Sequence, residues 1–488
     1  MNFKEIRNQQ TNKKVMKKHI HSYTGALLLA AAMIVLASGA AKAQQYHTIY
    51  WMQGIPQSSY SNPGLQPLPN YYVGFPGLSS VYSGFYNSGF AVKDLLRQNA
   101  DGSLYIDDQN MLSKLKNRNY FIVDMNLDIL SFGFRYKDIN YLSFNISERV
   151  ETRFGYSKDF MRLLIEGNDG FRQEGVAAQI GSPSFDVSHF REYGVGFSRK
   201  WTNELTAGVR AKVLQGMSNI NFKKTDLSLF TGPDNYELLL NTNLLINKSF
   251  PFTLAPLEDI GDNDFEFEEE DLRNYLTQTA NMGFAVDLGA VYQLDERFTF
   301  AASIRDLGFI NWKRDAENFR VQGEVEFKGF DFNEVFGSDN DTDFDETLDS
   351  IIDLFNLQET TSAYALMMAP KFFVSAAYNL TPMHRFALLG RGEVFAGGFY
   401  PSITASYNFQ PINRFGSTLS YSIIHGNYHN LGLGFHVNIW PVQLYVVADN
   451  YFPALQPHTF QTFNIHFGLN IAAGFSSLKD GPKASFRW

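Results

Sequence analysis

From His429 to Asp449 the chain alternates strictly between two kinds of residue. Leu431, Leu433, Phe435, Val437 and Ile439 are separated by Gly432, Gly434, His436 and Asn438, giving one apolar side and one small or polar side. A period of two is that of a β-strand. After Trp440 and Pro441 the pattern restarts, with Val442, Leu444, Val446 and Ala448 set against Gln443, Tyr445 and Asp449. The spacing predicts a hairpin. Each strand runs for about nine to eleven residues, enough for a tilted strand to cross a bilayer, and Trp440 and Tyr445 fall near the turn, where a membrane interface would lie. A soluble sandwich would show the same alternation.

The same period recurs along most of the chain. Phe121, Val123, Met125, Leu127 and Ile129 form one apolar set, which switches parity to Leu130, Phe132 and Phe134. A switch inside one strand predicts a bulge. Lys137 to Asn140 is read as a turn, with Leu142, Phe144 and Ile146 on the return strand, Asp159 to Glu166 as a short helix and Gly167 to Ser182 as loop. After the Trp201 to Glu204 turn, Leu205, Ala207, Val209, Ala211 and Val213 oppose Thr206, Gly208, Arg210 and Lys212. Two charges facing a dry core would cost several kcal/mol, whereas a wet lumen accepts them, so this face favours a barrel. Met282 to Ala290 carries Asp287 on its polar side, and Phe298 to Ile304 leads into Arg305. Later strands are read at Phe372 to Tyr378, Phe386 to Phe395, Ser402 to Phe409, Gly416 to Ile423 and Asn464 to Ala472. The expected fold is all-β, a transmembrane antiparallel barrel of about 14–16 strands, since single-chain barrels have an even number. Turns at Lys137 to Asn140, Trp201 to Glu204 and Leu294 to Arg297 agree in parity, and the one at Leu380 to His384 does not, so a strand is missed or invented between them.

Before Gln44 the pattern is of another kind. Lys13, Lys14, Lys17 and Lys18 precede an apolar run from Ala26 to Ala37, and Ala41-Lys42-Ala43 offers the small residues of a signal-peptidase site. Residues 1–43 are therefore read as a signal peptide cleaved between Ala43 and Gln44. No run approaches the roughly twenty residues of a transmembrane helix, so contact with a membrane is expected through strands. Composition agrees. There is no cysteine, hence no disulfide framework and no lipid-modified thiol. Past the leader, 34 basic residues stand against 49 acidic ones, a net −15, which argues against nucleic acid as a partner. Aromatic residues make up 15% of the chain, the profile of a barrel girdled by aromatics.

Residues 44 to about 110 hold no long alternating run, only turn formers and short extended pieces at Tyr72 to Gly77 and Val81 to Phe90. Here Ser61-Asn62-Pro63-Gly64, Val73-Gly74-Phe75-Pro76-Gly77-Leu78-Ser79 and Asn87-Ser88-Gly89-Phe90 resemble the start of a Gram-negative outer-membrane barrel family of unknown function. That family is itself similar to FadL-type hydrophobic-compound transporters and to PorV-type barrels of one secretion system. Its members usually show Asn-Pro-Ala where this chain has Asn62-Pro63-Gly64. The resemblance continues through Ile146-Ser147-Glu148-Arg149 and Asp306-Leu307-Gly308-Phe309-Ile310-Asn311-Trp312. It implies an outer-membrane location and, by analogy with the FadL type, an N-terminal plug. The expected division is a plug-like and first-strand region at 44–118, a barrel at 119–475 and a tail at 476–488 ending in Trp488, an aromatic terminus of the kind such barrels present to their assembly machinery.

Charge singles out two stretches. Glu258 to Asp271 and Asp331 to Asp353 each hold nine carboxylates and no lysine or arginine, so the net charge belongs to two long acidic loops. Asp339, Asp341 and Asp343 resemble a calcium loop, but Phe344 stands where glycine is needed and Ser350 where a bidentate glutamate is needed. No metal or cofactor is expected. Phe344 to Phe355 has the spacing of a short amphipathic helix. His425, His429, His436 and His466, with Ser420, Ser422 and Asp449, supply the residue types of a hydrolase set without its spacing, and neither Gly-x-Ser-x-Gly nor His-Glu-x-x-His occurs. The chain is not expected to be an enzyme. Arg210, Lys212, Arg305, Arg391, Glu393, His436 and His466 are the expected lumen residues, as interior packing and ion pairs. Two functions remain for a monomer in outer-membrane lipid: passage of a small hydrophobic ligand through a plugged barrel, or a barrel that docks secreted or surface proteins through its loops. An apolar pocket joined to a lateral opening would mark the first, a solidly filled lumen the second.

Overall fold

In the computed structural model the hairpin of His429 to Asp449 pairs with Leu433 opposite Ala448 and Ile439 opposite Val442. Phe435, Val437, Leu444 and Val446 are exposed on one side, while His436, Asn438, Gln443 and Tyr445 are buried on the other. Trp440 is exposed at the turn, as its reading requires, but Tyr445 is not at the interface. Its register puts it on the inner face, where its hydroxyl donates to the Ser79 carbonyl at 2.9 Å.

The structure describes residues 46–99, 103–181, 184–234, 237–250, 269–327, 358–395, 398–424, 427–451 and 461–475, all within the compact unit Lys42–Trp488. The leader with its Ala43/Gln44 site, Asp339, Asp341 and Asp343, the Phe344 to Phe355 helix, and the tail from 476 lie outside them.

Fourteen wall positions close into an antiparallel barrel. They are β1 (Tyr71–Gly74 and Val81–Asn87), β2 (Arg118–Tyr136), β3 (Asn140–Ser157), β4 (Ser184–Lys200), β5 (Leu205–Thr231), β6 (Leu238–Ser249 and Met282–Gln293) and β7 (Phe298–Trp312 and Ala316–Phe327), followed by β8 (Gln358–Thr360, Tyr364–Met367 and Lys371–Thr381), β9 (His384–Phe395), β10 (Gly398–Ile412), β11 (Phe415–Ile424), β12 (Asn427–Ile439), β13 (Val442–Ala448) and β14 (Thr462–Ala473). Each pairs with the next, and both pieces of β1 pair with β14 on one side and β2 on the other. No strand edge is left at the seam, which is what a bilayer demands of a sheet. Among the described residues no helix is long and apolar enough to cross a membrane.

Local chemistry explains the main irregularities. The β2–β3 register shifts between Asp128 and Leu130, at the parity switch read from the sequence; Asp128 keeps the inward side of Asp124 and Asn126, and past the shift Phe132 and Phe134 are exposed. Lys137 and Asp138 both take positive φ, 50° and 55°, as a primed hairpin turn needs. The turn at Leu380 to His384 lies at the same end as the other three, so the parity conflict is resolved without an extra wall position. Two long strands had gone unread, Leu238–Ser249 and Ala316–Phe327, besides short ones such as Gln358–Thr360 and Tyr364–Met367. The two long ones pair with each other and extend β6 and β7 alongside the far half of β5. Leu238–Ser249 is half-exposed on nearly every residue, so it has no wet and dry side to impose alternation. Gly167 to Ser182 is likewise more than loop. It holds a helix at Asp169–Glu174, ended by Gly175 at φ 66°, and a short strand at Ala178–Gln179. The helix expected at Asp159 to Glu166 is present as Lys158–Glu166, with the Ser157 hydroxyl capping Phe160 N–H.

Candidate functional site

Residues 46–70 run through the lumen near the tight-turn end. Ile49, Tyr50, Trp51, Ile55, Tyr60 and Leu65 are buried there, and two short 3-10 turns, Ile49–Trp51 and Pro56–Tyr60, shape the path. Side-chain hydrogen bonds tie the segment to strands all round the wall. Trp51 Nε1 donates to Ser375 Oγ at 2.8 Å, Gln57 Nε2 to Asn470 Oδ1 at 2.9 Å, and Tyr60 to Asp128 Oδ2 at 2.8 Å. Burial pushes the Tyr50 phenol up to about 12, so it remains a neutral partner for Asn62, whose Nδ2 donates to it at 3.1 Å.

The Ser61-Asn62-Pro63-Gly64 motif is the tightest of these anchors. Asn62 Oδ1 accepts from Gly64 N–H at 2.8 Å, closing an Asx turn, while Nδ2 reaches the carbonyls of Ala290 and Ala302 at 3.3 Å each. Glycines on two adjacent strands admit it. A Cβ on Gly289 would stand 2.0 Å from Asn62 Oδ1, and one on Gly208 2.2 Å from the Pro63 carbonyl oxygen. Gly289→Val is therefore expected to push the segment off the wall and lower stability by about 1–3 kcal/mol. A fall in the urea midpoint in phospholipid vesicles, together with faster proteolysis between residues 46 and 70, checks it.

Above the segment the inward faces carry an ionic layer. Asp306 is its centre, within 3.0 Å of Arg149, 2.7 Å of Lys212, 3.1 Å of Lys371 and 4.0 Å of Arg305. Lys212 also meets Asp287 at 2.7 Å and Glu192 at 3.6 Å, and Arg149 meets Glu192 at 2.8 Å and Glu151 at 2.5 Å. Arg153 joins Asp124 at 2.5 Å to Glu393 at 2.9 Å, and Glu393 holds Arg391 at 2.6 Å. Six cations, Arg149, Arg153, Lys212, Arg305, Lys371 and Arg391, thus face six carboxylates, Asp124, Glu151, Glu192, Asp287, Asp306 and Glu393. The wet lumen invoked for the Arg210 and Lys212 face is corrected here. The charges of the layer are desolvated, and mutual pairing offsets the cost of their burial.

Of the expected lumen residues, this layer unites Lys212, Arg305, Arg391 and Glu393. Arg210 lies with the N-terminal segment instead, its guanidinium 4.3 Å from the Tyr60 ring centre and 3.1 Å from Ser143 Oγ. His436 packs against Gly54, and His466 shares hydrogen bonds with Ser80 Oγ at 2.8 Å and Tyr445 at 3.2 Å. Arg149, Arg153, Lys371 and Asp306 were not singled out from the pattern, although two motifs quoted for the resemblance contain Arg149 and Asp306. The parity of Arg149, Glu151 and Arg153 on β3 was the readable signal. The hydrolase residues do not assemble: Ser420 bonds Thr48, Ser422 bonds Thr404, and Asp449 accepts from Thr48 N–H and Asn464. His425 and the His429 side chain lie outside the described residues. Among the described residues no cluster of His, Asp and Glu could hold a metal.

Beyond the ionic layer is a cavity of about 430 Å3. Glu151, Arg153 and Asp306 border it on the layer side, and Phe185, Phe190, Phe222, Trp312 and Phe395 supply aromatic walls. Its lining also takes in Leu307, Gly308 and Met367 to Pro370, where the β7–β8 ladder breaks. Arg305 pairs with Lys371 and Phe309 with Met367, and between them Met368 N–H donates to the Gly308 carbonyl at 3.0 Å. Two residues cause the break. Asp306 at φ 58° forms a bulge that leaves both Arg305 and Asp306 inward, and Pro370 has no N–H to give. Leu307 and Met367 are exposed on the outer surface, Met367 at 72%. The cavity is thus bordered by residues of both faces of the wall.

Solved structures similar to this chain include transporters of hydrophobic compounds. The toluene transporter TodX of P. putida is 9% identical, over 85% of this chain and 92% of that one, with a TM-score of 0.34. The toluene transporter TbuX of Ralstonia pickettii is 9% identical, over 90% and 97%, at 0.37, and a FadL homologue of Pseudomonas aeruginosa is 8% identical, over 90% and 100%, at 0.42. At such scores these likenesses carry no argument, and the barrel stands on its own strand pairing. No curated protein matches the chain. Residues 63–449, from the lumen anchor at Pro63 to the end of the hairpin at Asp449, match the family of unknown function DUF5723, and the chain belongs to that family.

Proposed function

We propose that this chain is an outer-membrane barrel that passes a small hydrophobic compound sideways, through the cavity above the ionic layer and out by the break between β7 and β8. The single observation that carries this reading is the cavity lining, which joins buried lumen groups to the exposed Leu307 and Met367. A route straight down is disfavoured on the same geometry. A hydrophobic solute would have to cross the buried ionic layer and the hydrogen-bonded segment 46–70, and both cost more than leaving through an apolar wall. Leu307 lies about ten residues from the turn-bearing end, the length a tilted strand needs to cross hydrocarbon, so the break opens near the far rim of the apolar band.

The chain has no cysteine, so one introduced thiol is uniquely reactive. Met367→Cys, modified with a bulky membrane-permeant maleimide, is expected to slow uptake of N-phenyl-1-naphthylamine by cells several-fold relative to the unmodified variant. Val446→Cys, exposed on a distant part of the wall, controls for modification itself. Uptake indifferent to both, and equal to that of cells without the protein, would sink the passage reading. Co-purifying surface proteins in that case would favour a docking barrel, which the filled lumen also suits.

A further inference from the structure

We infer that the cavity takes a hydrophobic cation, an ammonium on an aromatic or alkyl body, with Asp186 as its counter-ion; this rests on the passage reading above and names its substrate class. The observation is one carboxylate out of balance. Of the charged groups bordering the cavity, Glu151 and Asp306 are held by cations of the ionic layer, and Arg153 is held by Asp124 and Glu393. Asp186 has no such contact: Arg153 acts on it from beyond ion-pair distance and is itself held elsewhere. Among the described residues its carboxylate accepts from Ser188 Oγ at 3.3 Å and Asn219 Nδ2 at 3.4 Å, both neutral, and it forms no ion pair with a lysine or arginine.

The groups around it have the matching chemistry. Phe185 and Phe222 border the same cavity with ring centres 5.9 Å apart at 73°, and Trp312 adds an indole whose N–H has no hydrogen-bond partner among the described residues. Aromatic faces attract a cation through the ring quadrupole, and an alkylated ammonium sheds its water more readily than a primary one. A neutral hydrocarbon would fill the space and leave Asp186 unanswered. An anion would meet three carboxylates against one arginine already shared by Asp124, Glu393 and Glu151. The volume lies in the ordinary range for small-molecule sites and suits a single-ring ligand.

The test uses the full chain in neutral detergent at low ionic strength, titrated calorimetrically with benzyltrimethylammonium and with 2,2-dimethyl-3-phenylpropan-1-ol, a neutral probe of similar size. The cation is expected to bind about tenfold more tightly than the alcohol, as a desolvated cation–π contact plus a counter-ion allows. Asp186→Asn, which keeps the shape and the Ser188 and Asn219 contacts, is expected to bring the cation's affinity down to that of the alcohol. An alcohol that binds wild type as tightly as the cation would overturn the substrate class and leave the passage reading standing. A cation preference that survives Asp186→Asn would overturn the role of Asp186. Binding of neither probe would overturn the cavity as a ligand site, and the passage reading with it.

Discussion

Asp306→Ala is expected to lower the unfolding free energy of the barrel by about 3–5 kcal/mol, the usual cost of removing one partner from a buried charge cluster. Asp306 is wholly buried and lies within 4.0 Å of four cations, Arg149, Lys212, Lys371 and Arg305. Three of these have a second carboxylate to turn to. Arg305 does not; its other close neighbour is the ring of Tyr46, 4.6 Å away. Reversible urea unfolding in phospholipid vesicles, followed by tryptophan fluorescence, measures the loss. Asp306→Asn separates charge from shape. If charge dominates, asparagine costs nearly as much as alanine, and a double variant Asp306→Ala/Arg305→Met recovers part of the loss by removing the cation left most exposed. A change of less than about 1 kcal/mol for Asp306→Ala would mean that water, rather than its neighbours, neutralises the site.

How much of this was legible in the sequence follows from what each part depends on. The wall was legible because its outward side is apolar and its inward side is small or polar, so the residue type alternates along each strand, as with Val209 beside Arg210. Even the bulge at Ile129 showed, since one extra residue flips the parity. The ionic layer was legible only as a list of candidates. Lys212 and Asp306 are 94 positions apart and Arg149 and Asp306 are 157 apart, and which strands face each other across a lumen depends on tilt and stagger, which no local pattern records. Segment 46–70 has no period because, apart from two short 3-10 turns, it is neither helix nor ladder, and its residues bond partly to one another and partly to several different strands. The break beside the cavity left one trace, Pro370 at the head of a run read as strand from Phe372. A proline there withholds a ladder hydrogen bond, but the positive φ of Asp306 across from it was invisible.

Leu388→Arg is expected to cost about 2–4 kcal/mol in a phospholipid bilayer, the range for a cation on the lipid face of a barrel near the midplane. Leu388 is on β9, four residues from its turn, paired with Ala376 and Ala405 on the neighbouring strands, and is exposed on the same face as Val374 and Ile403. The substitution tests the premise under every other claim, because exposure has opposite meanings in the two media. If water wets that face, an arginine there relieves an exposed leucine and changes stability by no more than about 0.5 kcal/mol. If hydrocarbon wets it, the guanidinium must snorkel past several turns of apolar wall or draw water inward, and the urea midpoint in vesicles falls. Leu294→Arg, exposed at the turn-bearing end, lies within reach of the headgroups and is expected to cost no more than about 1 kcal/mol. A penalty that grows with distance from the turns identifies the medium as a bilayer, whereas equal and small effects at both positions would return the chain to solution and leave the break between β7 and β8 with no membrane to open into.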